Sequence, residues 1–142
     1  MSCAPPWATK QDAGSASVSD AGNASCPDNA HAGQELVLAD LGVVLHQLAP
    51  EPAEKGDNTW TVRVKTTAGA DVTGAVVTVK PLMPLHGHGT TPAEFMATEP
   101  SPGQYQVGPF NLFMPGTWNV PVRVQRTGMP DVEVTFHACI AG

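Results

Sequence analysis

The chain has 142 residues, 42% of them hydrophobic, and a net charge of −6 from 13 acidic and 7 basic side chains. That length suits one domain, and the acidic balance argues against nucleic acid or an anionic membrane surface as partner. No run approaches the ~20 apolar residues of a membrane-spanning helix.

The chain opens with Met1-Ser2-Cys3-Ala4-Pro5-Pro6. No charged and apolar leader precedes Cys3, yet the small, polar spacer behind it resembles a bacterial lipoprotein whose signal has been removed. On that reading Met1 and Ser2 are not native and Cys3 carries lipid, which would be the only membrane attachment. Residues 4–32 hold one Trp and one Val and are otherwise mostly Ala, Ser, Gly, Asp, Asn and Pro. Such a stretch buries too little apolar area to offset its ordering entropy, so residues 1–32 are predicted to be a disordered tail and 33–142 the folded domain.

From residue 36 onward, short apolar runs alternate with turn residues. Leu36 to Asp40 and Val43 to Leu48 read as two strands broken at Gly42, and Pro50 to Asp57 as a loop holding Glu51, Glu54 and Asp57. Trp60, Val62 and Val64 alternate with Thr61, Arg63 and Lys65, the period of a half-buried strand. Ala75 to Val79 is a further strand, stopped by Pro81 and Pro84, and Ala93 to Thr98 is short and edge-like. Gly103 to Val107 follows a Pro-Ser-Pro-Gly turn. Trp118, Val120, Val122 and Val124 face inward on the next strand, where Pro121 predicts an edge or a bulge because it lacks a ladder donor. Val132, Val134, Phe136, Ala138 and Ile140 complete the pattern. The 14 Gly and 14 Pro show no collagen period and no helical periodicity is sustained. The class is all-β: an immunoglobulin-like antiparallel sandwich of seven or eight strands.

Cys26 and Cys139 bracket this domain. A disulfide between them would close nearly the whole fold and requires an oxidising compartment. The competing reading makes Cys139 a thiolate ligand beside His137, two residues away on one strand face.

The segment Met83-Pro84-Leu85-His86-Gly87-His88-Gly89 is the part richest in chemistry. Thioether sulfur suits Cu(I), and imidazole serves copper in both oxidation states as well as zinc. Gly87 between the histidines permits a curled backbone. Met114, in Met114-Pro115-Gly116-Thr117-Trp118, is expected where loops converge at one end of the sandwich. The bland alternative is that the histidines are solvated and Met83, Met96, Met114 and Met129 fill the core. His31 and His46 have no evident partners. No G-x-S-x-G, P-loop, G-x-G-x-x-G or H-E-x-x-H motif occurs, so no enzyme is expected.

From about Asp57 to Phe136 the chain resembles the YtkA-like proteins, related to the FixH type, which are bacterial periplasmic or membrane-anchored domains. Three ordered features carry the resemblance: Gly56-Asp57-Asn58-Thr59-Trp60-Thr61-Val62 with Gly69 and Gly74-Ala75-Val76-Val77; the Met83 to Gly89 loop; and Gly103-Gln104-Tyr105 leading to Met114 through Trp118. It implies a sandwich fold and copper handling near respiratory oxidase assembly. Met83, His88 and Met114 match the family pattern, while His86 stands where a second methionine is commoner. The expectation is therefore a periplasmic or cell-surface domain that binds copper as chaperone, buffer or sensor through Met83, His86, His88 and Met114, its partner being a membrane or periplasmic protein that receives the metal. The alternative is a non-catalytic interaction module without metal.

Overall fold

The computed structural model describes residues 28–141. Cys3, Cys26 and all of the predicted tail before Asp28 lie outside the described residues, as does Gly142. The described chain is all-β, with eleven strands: β1 (Glu35–Leu38), β2 (Leu41–Ala49), β3 (Gly56–Thr66), β4 (Val76–Val79), β5 (Leu82–Met83), β6 (His88–Gly89), β7 (Phe95–Met96), β8 (Thr98–Ser101), β9 (Gln104–Leu112), β10 (Gly116–Gln125) and β11 (Val132–Ile140). Three of these, β5, β6 and β7, have only two residues.

The strands form two antiparallel sheets. One has the order β1-β2-β3-β9-β8; the other runs β6-β5-β10-β4-β7, with β11 on the remaining flank of β10. Their inner faces supply the core. Trp60, Val62 and Val64 of β3 meet Trp118, Val120, Val122 and Val124 of β10 and Phe136 of β11, all fully buried. Period-2 alternation puts these residues on one face of each strand, and burial of each large side chain contributes roughly 1.5–3 kcal/mol. Trp60 stands edge-on to Phe110 and Phe136, with ring centroids 5.5 and 6.4 Å away.

Three sequence expectations are corrected. The break between the first two strands falls at Ala39-Asp40, where Leu38 pairs with Leu41 across a tight hairpin. Gly42 lies within β2, close beneath the Glu35 carboxylate. Second, β10 is an interior strand. Pro121 is tolerated there because the neighbouring flank is itself interrupted: β4 pairs with Val122–Gln125, β5 pairs with Asn119, and the join between them carries Pro81. The Pro121 carbonyl still accepts from the Lys80 amide at 3.3 Å. A residue's N–H and C=O point to the same flank of a strand, so the donor missing at Pro121 faces this gap. Third, Met96 and Met129 are exposed, so neither fills the core. Their backbone turns them to the outer face and to the β10–β11 turn.

Polar contacts hold the loops. The Tyr105 hydroxyl donates to the Val72 carbonyl at 2.7 Å and accepts from the Ala75 amide at 3.1 Å. Glu99 accepts from the amides of Gly74 and Gly103, both at 3.0 Å. Asn58, fully buried, bonds the backbone of Glu54 and Gly56 and so shapes the acidic loop. At the far end of the sandwich, Arg126 donates two hydrogen bonds to Asp40, at 2.8 and 3.1 Å, joining β10 to the β1–β2 hairpin of the other sheet. This pairing lowers the Asp40 pKa and raises that of Arg126.

The chain before β1 also packs. Asn29 bridges His137 in parallel, the Ala30 amide donates to the His137 carbonyl at 2.8 Å, and Ala30 is buried. Asn29 Oδ1 accepts from the Cys139 amide, so this segment covers the end of β11.

Candidate metal centre

The Met/His segment folds as a miniature hairpin on the flank of β10. Leu82 pairs with Gly89 and Met83 with His88, while Asn119 of β10 holds Leu82 in place. The four intervening residues turn because the His86 amide donates to the Met83 carbonyl at 3.1 Å, with Pro84 at the position whose φ its ring already fixes. Gly87 then takes a φ of +65°, which reverses the chain into β6 at no steric cost.

Directly opposed residues of an antiparallel pair project to the same side. Met83 and His88 accordingly line one shallow pocket of about 260 Å³, together with Lys80, Pro81, Gly87 and Ala93. Their depths differ. Met83 is 1% exposed, and His88 lies at the open rim. The ε-methyl of Met83 reaches Gly116 at the start of β10, 2.6 Å from the point at which a β-carbon would stand there.

His86 and His88 are both exposed, with ring centroids 6.2 Å apart and planes 25° from parallel. Two imidazoles bound to one ion have centroids about 5–6 Å apart, given metal–nitrogen bonds of about 2.0–2.1 Å. The separation of the two rings is thus close to that of an imidazole pair on one ion. His88 also meets Phe113 edge-on at 6.2 Å, and Phe113 meets the buried Trp118 edge-on at 5.5 Å. An aromatic row thus runs from the exposed histidines into the core.

Met114 lies at this same end, on the β9–β10 connection, partly buried against the core. Its carbonyl accepts from the Trp118 indole N–H at 3.0 Å. The structure thus brings Met83, His86 and His88 together on one hairpin, and sets Met114 on the adjoining connection. Among the described residues no group of three or more His, Cys, Asp or Glu could hold a metal ion. The candidate donors at this end are the two imidazoles of His86 and His88 and the two thioethers of Met83 and Met114. Phe113, the neighbour of His88, escapes sequence reasoning: the run Asn111-Leu112-Phe113-Met114 shows where apolar residues cluster, but not which hairpin lies beside them.

His137 and Cys139, both on β11, are each engaged by an asparagine. His137 Nδ1 is 3.0 Å from Asn119 Oδ1, a structural tether between β11 and β10. Cys139 is buried on the strand edge that Asn29 covers. The predicted bridge from Cys139 to Cys26 involves a residue outside those described, and so does the lipid site at Cys3. Among the described residues no helix is long and apolar enough to cross a membrane.

Comparison with known proteins places the fold. No curated protein matches. A DUF4426 family protein from Pseudomonas aeruginosa PAO1 is 18% identical with a TM-score of 0.51, over 76% of this chain and 96% of its own. A copper-bound variant of FetP from uropathogenic Escherichia coli strain F11 is 12% identical with a TM-score of 0.53, over 78% and 91%. The same FetP in its as-isolated form is 13% identical with a TM-score of 0.50, over 78% and 95%. At these identities the likeness establishes the fold. The YtkA-like family model matches residues 38–123, more than half of the chain and including the whole Met/His hairpin, and the chain therefore belongs to the YtkA-like family.

Proposed function

We propose that this YtkA-like domain binds copper outside the cytoplasm and handles it without catalysis, as a chaperone, buffer or sensor. One observation carries the reading: Met83 and His88 are in register across the hairpin and line one pocket, with the His86 ring stacked on His88 at its rim. The donors are graded by softness. Buried thioether sulfur favours Cu(I), and the exposed imidazoles accept either oxidation state. Met114, on the adjoining connection, is the further sulfur donor. The copper-bound state of FetP, which shares the fold, supports the same reading.

The proposal extends to the cellular setting. A lipid on Cys3 and a Cys26–Cys139 bridge both belong to a periplasmic or surface protein, in which an open-rimmed site passes its ion to a membrane or periplasmic acceptor. The sandwich is taken as immunoglobulin-like. A second reading, a metal-free interaction module, has one observation in its favour: Leu85 at the hairpin tip is 90% exposed.

Titration with Cu(I) and separately with Cu(II), against a competing chelator, distinguishes the two. Stoichiometric binding lost in His86→Ala/His88→Ala supports the copper reading. Binding no tighter than micromolar in both oxidation states sinks it and leaves the interaction module.

A further inference from the structure

We propose that a divalent ion seated on His86 and His88 joins two copies of this chain, each supplying the same imidazole pair. This rests on the metal-binding reading of the hairpin and goes beyond it by naming the occupant of the open side.

The argument begins with what the rim lacks. A divalent ion of the zinc or copper type takes four donors, and imidazole nitrogen suits both metals. At the solvent-facing edge the chain presents two, His86 and His88. Met83 lies beneath them at 1% exposure and Met114 is packed against the core, and a thioether is a poor donor to a divalent ion. No third His, Cys, Asp or Glu joins the pair among the described residues. An ion held there is half-coordinated by protein.

The remaining sites face outward over a hairpin whose tip, Leu85, is exposed. A two-fold axis through the ion would bring a second His86/His88 pair onto its open side and lay Leu85 of each copy against the other. A self-complementary patch around a two-fold axis is the commonest form of association between identical chains.

Charge permits this approach in one direction. Each copy carries −6, which opposes association in general. Yet from Pro81 to Ala93, and from Gln104 to Val122, the chain has no Asp, Glu, Lys or Arg. The hairpin and the Phe113–Met114 connection that flanks it are drawn from these two stretches. The hairpin itself thus carries no Asp, Glu, Lys or Arg, and Lys80 is the one charged residue lining the pocket beside it.

Sedimentation of the full chain with zinc or Cu(II) chloride tests the proposal. At half an equivalent of ion per chain the 14.8 kDa species should double in mass. EDTA should reverse the change, excess ion should return the protein to single chains with one ion each, and His86→Ala or His88→Ala should abolish it. Both substitutions lie on the exposed hairpin, His86 in its turn and His88 on β6, outside the core. One ion per chain with no change of mass at any ratio overturns the shared site but leaves the metal-binding reading intact. Absence of bound zinc or Cu(II) overturns the shared site, and the metal-binding reading falls with it only if the separate Cu(I) titration is also negative. A doubled mass that survives EDTA or either His substitution also overturns the proposal, since the ion would then not be the link.

Discussion

The ε-methyl of Met83 stands 2.6 Å from where the β-carbon of any larger residue at Gly116 would be, so the absence of a side chain on β10 sets the resting place of the thioether. Gly116 also has a φ of +127°, a region that other residues enter only under strain. Gly116→Ala should therefore cost about 1–3 kcal/mol and lower the melting temperature by several degrees, measured by thermal and urea unfolding. Cu(I) affinity should fall in the same variant, because Met83 must leave its seat.

Tyr105 connects β9 to a loop remote in sequence. Its hydroxyl is bonded on both sides, to Val72 and Ala75. Tyr105→Phe leaves a buried carbonyl and an amide with one partner fewer. Urea titration should show a loss of about 1–3 kcal/mol with an unchanged slope. An unaltered midpoint would mean that water replaces the hydroxyl without cost.

Acid should loosen the same region. The amides of Gly103 and Gly74 hold the Glu99 carboxylate in its charged form and lower its pKa below the usual 4.5. A group whose folded pKa is depressed stabilises the fold above its unfolded pKa and loses that contribution as pH falls through the folded value. Stability measured from pH 6 downward should accordingly drop below about pH 4.5, and Glu99→Gln should flatten part of that drop. Asp40, lowered by Arg126, adds to the slope in the same direction and remains in the variant.

A Cys26–Cys139 disulfide would close a loop of more than a hundred residues. In the chain-entropy account such a bridge is worth about 4–5 kcal/mol. Reduction should lower the melting temperature markedly, and mass spectrometry should show two cysteines alkylated only after reduction. Equal alkylation before and after reduction would remove the bridge.

Much of this fold was legible in the residues, for a physical reason. In β3, β10 and β11 one face meets the core and the other does not, so burial writes a period of two directly into Trp60-Val62-Val64, Trp118-Val120-Val122-Val124 and Val132-Val134-Phe136. Pro121 was misleading because its tolerance depends on a neighbour forty residues away, the interruption at Pro81 between β4 and β5. Gly42 resembled a break because nothing local shows that Glu35 folds over it. At the candidate site, spacing brought out Met83, His86 and His88 but not their depths. Whether a methionine beside a Pro-rich turn points inward is decided by the strand it lies against, and for Met83 that strand is β10. Phe113, which flanks His88, is visible only once the two loops are side by side.

The central claim is that the β5–β6 hairpin takes copper through both sulfur and nitrogen. X-ray absorption at the copper edge of the Cu(I)-loaded protein tests it most directly. The predicted spectrum has imidazole and sulfur in the first shell, with the sulfur contribution falling in Met83→Leu and the imidazole contribution falling in His88→Ala. A first shell of light atoms alone, unchanged in both variants, would place the ion elsewhere on the chain and contradict the account.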